Sequence, residues 1–245
     1  MVDVVKSINC PHCSAPLNID PGNIVVICKY CNSTVYITDT PFVLNHSILK
    51  CTNSYEDIEK KFYSWIKNSD LLSFFMKRKI KIENISLKIV PFWVSNAKIK
   101  YKYKGVSMKY GSNIPKEGEN NEEIVWKLLA RRESYFPEKS YTIPMGDLVQ
   151  YTISNVPPKS ELLNVEITQP EAIELSKTDI KNYELNVLKE EVDEVSSFVC
   201  DVSISDMSLV HVPIYFIGFS YKGKSYNSYM DGYSGEVIDI DIPDD

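Results

Sequence analysis

Apolar residues recur at helical spacing in residues 54–70, SYEDIEKKFYSWIKNSD. Intervals of three and four residues place one stripe of side chains on a single helical face: Ile58, Phe62, Trp65 and Ile66. Ser54 stands three residues before Asp57, a spacing typical of a capping box at the start of a helix. The pattern predicts an amphipathic helix whose apolar face packs into a core.

A strict alternation of apolar and basic residues occupies positions 97–104. A period of two predicts a β-strand with one basic face, which carries Lys98, Lys100, Lys102 and Lys104. On one interpretation these ammonium groups bind the phosphates of a nucleic acid. On the other, they protect an edge strand from unwanted pairing. The run KRKIK, residues 77–81, adds four residues to the candidate nucleic-acid-binding set: Lys77, Arg78, Lys79 and Lys81.

The remaining segments complete a mixed pattern. Residues 105–123 contain three glycines among polar side chains and predict a loop. Residues 168–198 form the longest helical stretch, with Ser176 or Thr178 as the start of its main part. The glycine-punctuated apolar residues 208–243 predict a β-meander. Together these elements predict an α+β fold.

Two apolar runs with an internal proline are similar to each other. VPFWV, residues 90–94, aligns with VPIYF, residues 212–216. Trp93 and Tyr215 are then expected in equivalent buried positions. The alignment predicts an internal duplication with two repeat units, near residues 85–150 and 199–243.

Four cysteines form two C-x-x-C pairs, in the spacing C-x2-C-x14-C-x2-C. Thiolates bind Zn²⁺ tetrahedrally, and each C-x-x-C turn can place two sulfurs on one ion. The segment between the pairs, residues 17–27, predicts a strand, a turn and a second strand. This is the layout of a zinc ribbon, in which a structural Zn²⁺ is held by Cys10, Cys13, Cys28 and Cys31.

The residue after each cysteine pair usually needs a left-handed backbone, which Asn32 tolerates better than Ser14. His12 lies inside the first knuckle and outside the expected ligand set. Four sulfurs leave no open position on the ion, so we expect a structural metal and not a catalytic one.

The cysteine spacing divides the chain into two predicted domains, a zinc ribbon at residues 1–40 and an α+β domain at residues 41–245. A segment of about 40 residues cannot bury a sufficient core of its own. The metal is therefore expected to supply much of the ribbon's folding free energy.

Charge is distributed unevenly along the 245 residues, whose net charge is −6. Residues 1–110 carry 16 Lys/Arg and 8 Asp/Glu, a balance of +8. Residues 111–245 carry 11 Lys/Arg and 25 Asp/Glu, a balance of −14. The asymmetry indicates either a partner attracted to the basic half or two solvated surfaces of opposite sign.

The sequence contains no recognisable catalytic constellation. Its nine glycines form neither a dinucleotide-binding nor a P-loop pattern, and its three histidines have no catalytic or metal-binding spacing. We therefore expect no enzymatic activity and infer no small-molecule substrate. The absence of a membrane-length apolar run and of a signal-like N-terminus predicts a cytoplasmic protein without membrane insertion.

The N-terminal CPHC…CKYC resembles the ribbon of transcription factor IIB-type ribbon proteins. The remainder resembles a poorly characterised group of bacterial and archaeal zinc-ribbon proteins with an aliphatic-Pro-aromatic strand and a closing Y-x-Y-K-G-K-x-Y…G-x-x-G-x-V hairpin. The matching residues are Val212, Pro213, Tyr215, Tyr221, Lys222, Gly223, Lys224, Tyr226, Gly232, Gly235 and Val237. The resemblance implies a ribbon followed by a β-rich domain, and it implies no established activity.

These observations favour a non-enzymatic binding protein. In the leading hypothesis its basic half contacts a nucleic acid or a nucleoprotein machine, such as a ribosome or an RNA polymerase. In the alternative it is an adaptor, whose ribbon and β-rich domain bind a polypeptide. Salt dependence distinguishes the two, because phosphate contacts weaken steeply with salt and apolar protein interfaces do not.

Overall fold

The computed structural model describes residues 8–19, 23–38, 40–70, 77–109, 112–132, 136–137 and 141–243. Over these ranges the chain is mixed α and β, in agreement with the predicted class. The helices are α1 (Tyr55–Asn68) and α2 (Gln169–Glu191). The strands are β1 (Val25–Ile27), β2 (Thr34–Tyr36), β3 (Phe42–Val43), β4 (His46–Leu49), β5 (Lys81–Lys109), β6 (Ser112–Leu129), β7 (Leu148–Gln150), β8 (Glu161–Leu162), β9 (Glu194–Tyr221), β10 (Lys224–Asp231) and β11 (Val237–Ile240). Neither α1 nor α2 has the length and hydrophobicity of a membrane-spanning helix.

The first three strands form a small sheet in the order β1-β2-β3. Val35 on β2 pairs with Val26 on β1 and with Val43 on β3, both antiparallel. The hairpin β1–β2 therefore encloses the second cysteine pair. Residues 17–19, which the sequence predicted as a strand, do not belong to any strand. The sheet also extends to Val43, past the predicted end of the ribbon at residue 40.

The other eight strands form one sheet. Five of them follow the order β11-β10-β9-β4-β7, and β5 pairs with β6, β8 and β9. The predicted C-terminal meander is present as β9, β10 and β11, which pair antiparallel. Lys222 and Gly223 form the two-residue turn between β9 and β10, and both have the positive φ that a type I′ turn requires.

The chain divides into two compact units. The first unit comprises Met1–Phe92, Arg131–Glu166 and Leu209–Asp245. The second unit comprises Trp93–Ala130 and Ile167–Ser208. The predicted domain at residues 41–245 thus contributes to both units, and the ribbon belongs to the first.

Helix α1 contributes to the core of the first unit. Its predicted capping box is present, since the Asp57 N–H donates to the Ser54 hydroxyl and the Ser54 N–H donates to the Asp57 carboxylate. The buried face of the helix consists of Ile58, Phe62 and Ile66. The Phe62 ring lies 5.6 Å from that of Phe219 on β9.

Helix α2 packs over the strands of the second unit. The core between them contains Ile180 on the helix, Ala97 and Ile99 on β5 and Val202 on β9. The helix begins at Gln169 and not at the predicted Ser176 or Thr178, because Thr168 caps its N-terminus and Pro170 fits the first turn. It ends at Glu191, so the predicted helical residues 194–198 belong to β9.

Most of residues 105–123, predicted as a loop, are strand. β5 continues to Lys109 and β6 begins at Ser112. Gly118 has a packing role in this hairpin, because a Cβ atom there would lie 2.8 Å from the Tyr103 ring. The glycine thus leaves room for an aromatic side chain on the neighbouring strand.

Candidate metal centre

Two knuckles with the same backbone arrangement present the four cysteines. The N–H of Ser14 donates to the Cys10 carbonyl at 2.8 Å, and the N–H of Asn32 donates to the Cys28 carbonyl at 2.9 Å. The φ angles of Ser14 and Asn32 are 61° and 59°, the left-handed conformation expected after each pair. Both C-x-x-C turns are therefore folded in the same way.

The thiols of the two knuckles converge. The four Sγ atoms lie within 4.8 Å of one another, and all four cysteines are free of disulfides. Two of the separations are 3.7 Å, that between Cys10 and Cys31 and that between Cys13 and Cys28. Cys10 and Cys28 are buried beneath the site, and Cys13 is exposed at its rim. The group could hold a metal ion.

The geometry of this group fits a tetrahedral ion with soft ligands. A zinc–sulfur bond of about 2.3 Å gives a sulfur–sulfur edge of about 3.8 Å in a regular tetrahedron. Two of the six separations, at 3.7 Å, are close to that edge, and all six lie within 4.8 Å. Four thiolates also form the donor set that structural zinc sites use.

The rim of the site favours the ionised form of Cys31. Hydrogen bonds from the Ser33 side chain, and then from His12, lower the pKa of Cys31 to about 5. The thiolate is the form of cysteine that binds metals. His12 Nδ1 lies 3.1 Å from Ser33 Oγ, and His12 is not a member of the four-thiol group.

The basic face of β5 is exposed, but most of its charge is paired. Three ion pairs join it to β6: Lys98–Glu123 at 2.8 Å, Lys102–Glu119 at 3.1 Å and Lys104–Glu117 at 3.9 Å. Within the described part of the chain, Lys100 makes no ion pair. β5 also pairs with β8 and β9, so the interpretation of these lysines as guards of an edge strand is wrong.

The second group of basic candidates lies in the other unit. Lys77, Arg78, Lys79 and Lys81 belong to the first unit, whereas the strand lysines belong to the second. Lys77 Nζ donates to the Lys67 carbonyl at 3.2 Å. Arg78, Lys79 and Lys81 are exposed.

The sequence did not reveal that two of the three histidines lie in contact. His46 Nε2 lies 2.6 Å from His211 Nδ1, and both side chains are buried. The contact depends on the parallel pairing of β4 with β9, where His46 lies opposite Leu209 and Ile48 opposite His211. The two histidines are 165 residues apart, so no local spacing could have indicated it.

Comparison of the chain with protein-family models, with curated proteins and with solved structures finds no match. The resemblance to zinc-ribbon proteins therefore stays a prediction from the cysteine spacing and the C-terminal hairpin. What the structure adds is the convergence of Cys10, Cys13, Cys28 and Cys31 into one group.

Proposed function

We propose that the chain is a non-enzymatic binding protein whose four N-terminal thiolates hold a structural Zn²⁺. The observation that supports zinc is the convergence of four thiols within 4.8 Å of one another, with two sulfur pairs at 3.7 Å, close to the edge of a zinc–thiolate tetrahedron. Four protein ligands leave no coordination position for water or substrate. The metal would contribute folding free energy to the ribbon, as it does in other small metal-dependent domains.

We infer further that the partner is a polypeptide. The tip of the second knuckle presents Tyr30, which is 71% exposed, and strand β3 of the same small sheet exposes Phe42 and Val43. Exposed aromatic side chains of this kind supply contact area in protein interfaces. The lysines of β5 support the same choice, because three of them lie beside glutamates, whose carboxylates would repel a phosphate backbone on that face.

A nucleic-acid partner is the second candidate. It is favoured by Lys100, which makes no ion pair with the residues that the structure describes, and by the exposed cluster of Arg78, Lys79 and Lys81. Contacts from these residues would fix the position of a phosphate backbone without reading its sequence. Such binding would lose affinity steeply as salt increases.

Metal analysis tests the first part of the proposal. Protein purified without added metal should contain one zinc per chain by mass spectrometry, and Cys28→Ser should lose it. Cys200→Ser is the matched control, because Cys200 lies outside the four-thiol group. Protein that carries iron, or that carries no metal with its ribbon intact, would contradict the proposal.

Capture of the partner from cell extracts tests the second part. A polypeptide should remain bound after nuclease treatment and should cross-link to Lys29, beside Tyr30 in the second knuckle. Tyr30→Ala should abolish the capture. Val199→Ala is the matched control, because Val199 is similarly exposed (69%) but lies in the second unit, and it should leave the capture unchanged. Capture that nuclease abolishes, together with salt-sensitive binding of RNA or DNA, would favour the nucleic-acid candidate.

We also propose that the chain contains an internal duplication of the order strand–helix–long strand–strand. The repeats would be β4-α1-β5-β6 and β8-α2-β9-β10. In support, β4 pairs in parallel with β9 at Ile48 and His211, and β8 pairs in parallel with β5 at Leu162 and Ile89. Ile89 and His211 are equivalent in the VPFWV–VPIYF alignment. An experimental structure in which the two segments fail to superpose would contradict the duplication.

A further inference from the structure

One edge of strand β9 is open in the second unit. On one side β9 pairs with β5, and the Ser196 hydroxyl donates to the Lys104 carbonyl of that strand. On the other side β4 pairs with β9 at residues 209–211, and β10 pairs with it at residues 214–221. Among the described strands, none pairs with that side of residues 194–208. The backbone N–H and C=O groups there can bind another strand.

Residues 194–204, the open edge of β9, lack the features that usually protect an edge strand from pairing. They contain no lysine, arginine, proline or glycine. The outer edge of β6 contrasts with them, because Pro115, Lys116 and Gly118 lie in that strand. Asp206, whose φ of 52° is left-handed, departs from strand geometry just after the open edge. The open edge of β9 is therefore the one suited to strand pairing.

The two faces of the open edge have different surroundings. On the side of α2, its alternate side chains belong to the core of the second unit: Cys200, Val202 and Ile204. On the other face Val199 is 69% exposed and lines the same depression as Asp201 and two lysines of β5. A strand that pairs here must place apolar side chains toward α2 and cover an exposed valine on the other face.

A second copy of the same strand meets both requirements. Residues directly opposite each other in an antiparallel pair point to the same face, and a two-fold axis makes the pairing reciprocal. With the axis at Val199, this valine lies opposite its own copy, and Phe198 lies opposite Cys200 of the second copy. Ser197 lies opposite Asp201 of the second copy, where its hydroxyl can donate to the carboxylate.

Charge and burial select this register over its neighbours. An axis at Cys200 would place Glu194 opposite Asp206 of the second copy, and an axis at Asp201 would oppose two aspartates. Like charges directly opposite each other are destabilising. An axis at Phe198 would avoid them but would leave Val199 opposite a serine. With the axis at Val199, no two carboxylates of the open edges lie opposite each other.

We propose that the open edge of β9 pairs antiparallel with the open edge of a second copy of this chain, about a two-fold axis at Val199. The axis is perpendicular to the sheet, so both copies of α2 cover the same face. The resulting dimer has a continuous six-stranded sheet in its second units, in the order β6-β5-β9-β9-β5-β6. This interface is independent of the partner proposed for the ribbon tip.

Sedimentation equilibrium of the full chain, loaded with zinc, tests the dimer. The native chain should show a monomer–dimer equilibrium. Val199→Lys places an ammonium group opposite its own copy and should raise the dimer dissociation constant about tenfold or more. Val125→Lys is the matched control, because Val125 is 57% exposed on β6 in the same unit, and it should leave the dissociation constant unchanged. Circular dichroism checks that both variants fold.

Disulfide formation tests the register without a disruptive charge. Val199→Cys in a Cys200→Ser background should cross-link to its own copy on mild oxidation, because opposite Cα atoms lie about 4.5–5.5 Å apart. Val125→Cys in that background is the control and should not cross-link. Native Cys200 should not cross-link to its copy either, since it lies opposite Phe198.

Four results would overturn the proposal. They are a chain that stays monomeric at all concentrations, a dimer that Val199→Lys leaves intact, equal weakening by Val125→Lys, and a disulfide between the two Cys200 residues of the native dimer. The last result would place the axis at Cys200, in the register that opposes Glu194 and Asp206.

Discussion

At the scale of single residues, Ser14 and Asn32 hold equivalent positions at different conformational cost. Both have a left-handed backbone, which asparagine and glycine adopt more readily than serine. We expect Ser14→Gly to stabilise the metal-bound ribbon by up to about 1 kcal/mol. The measurement is the chelator concentration that removes half of the metal, which should rise. Asn32→Gly should change it less, and a fall for Ser14→Gly would contradict the expectation.

The buried histidine pair makes the protein sensitive to acid. Burial, followed by the charge of His211, lowers the pKa of His46 to about 2, and burial lowers the pKa of His211 to about 3. Histidine in an unfolded chain has a pKa of about 6.5, so acid protonates the unfolded state first. Below this pH the free energy of unfolding should fall by about 1.4 kcal/mol per pH unit for each of the two histidines.

NMR can follow these two imidazoles directly. His12→Asn removes the third histidine of the chain and leaves only the buried pair. Their ring resonances should stay in the neutral form from pH 7 to pH 4.5 in the folded protein. A titration midpoint above pH 5 for either ring would show that the pair is accessible to protons.

At the scale of elements, α2 carries a buried carboxyl group. Glu184 is 4% exposed, and burial, followed by the nearby Glu122 on β6, raises its pKa. The fold therefore favours the neutral form, and stability is lost as the pH rises through the raised pKa. We expect Glu184→Gln to increase the free energy of unfolding at pH 8 and to change it less at pH 4. Denaturant titration measures the free energy of unfolding at each pH. Glu190→Gln is the control, because Glu190 is exposed on the same helix, and it should have little effect at either pH.

Elements with a strong local pattern were predictable, and elements stabilised by distant partners were not. The stripe and the Ser54 capping box identified α1 because both signals lie within the helix. β6 carries few apolar residues in its first half, so it lacks the alternation that predicts a strand. Glutamates of β6 lie opposite the lysines of β5 instead, a pairing that only the folded hairpin shows.

The candidate sites also differ in how far the sequence could predict them. Cysteine spacing was sufficient to identify all four thiols, because C-x-x-C turns fix their own geometry. A cavity beside His46 and His211 was not foreseen, since its lining comes from four of residues 23–27, from residues 162–165 and from three separate strands or strand ends. The alternation of lysines in β5 also could not indicate that three of these lysines form ion pairs with glutamates of β6.

At the scale of the whole molecule, the metal is expected to control one part of the fold. Chelation, or Cys28→Ser, should increase hydrogen exchange throughout residues 8–43, because the ribbon lacks a large core of its own. Exchange should also increase at Leu44, because its amide N–H donates to the Thr34 carbonyl on β2 and that hydrogen bond would be lost. Helix α2 in the second unit should keep its protection.

Cys200→Ser serves as the control for this experiment, because it removes a thiol from the second unit. It should leave exchange in residues 8–43 unchanged. Uniform loss of protection over both units, or none in the ribbon, would show that the metal does not control the ribbon selectively.

The three ion pairs between β5 and β6 also affect how the hairpin folds. The sequence changes from basic to acidic near residue 110, between these strands, so opposite charges meet when the hairpin closes. A slip of two residues would break all three native ion pairs, form two others in their place, one of them with Lys100, and place Val125 or Pro115 opposite a lysine. The slipped hairpin thus has one ion pair fewer than the native one, and salt screens that difference. Refolding in 1 M sodium chloride should therefore divert more molecules into a slow phase, in which slipped hairpins must reopen before they can fold.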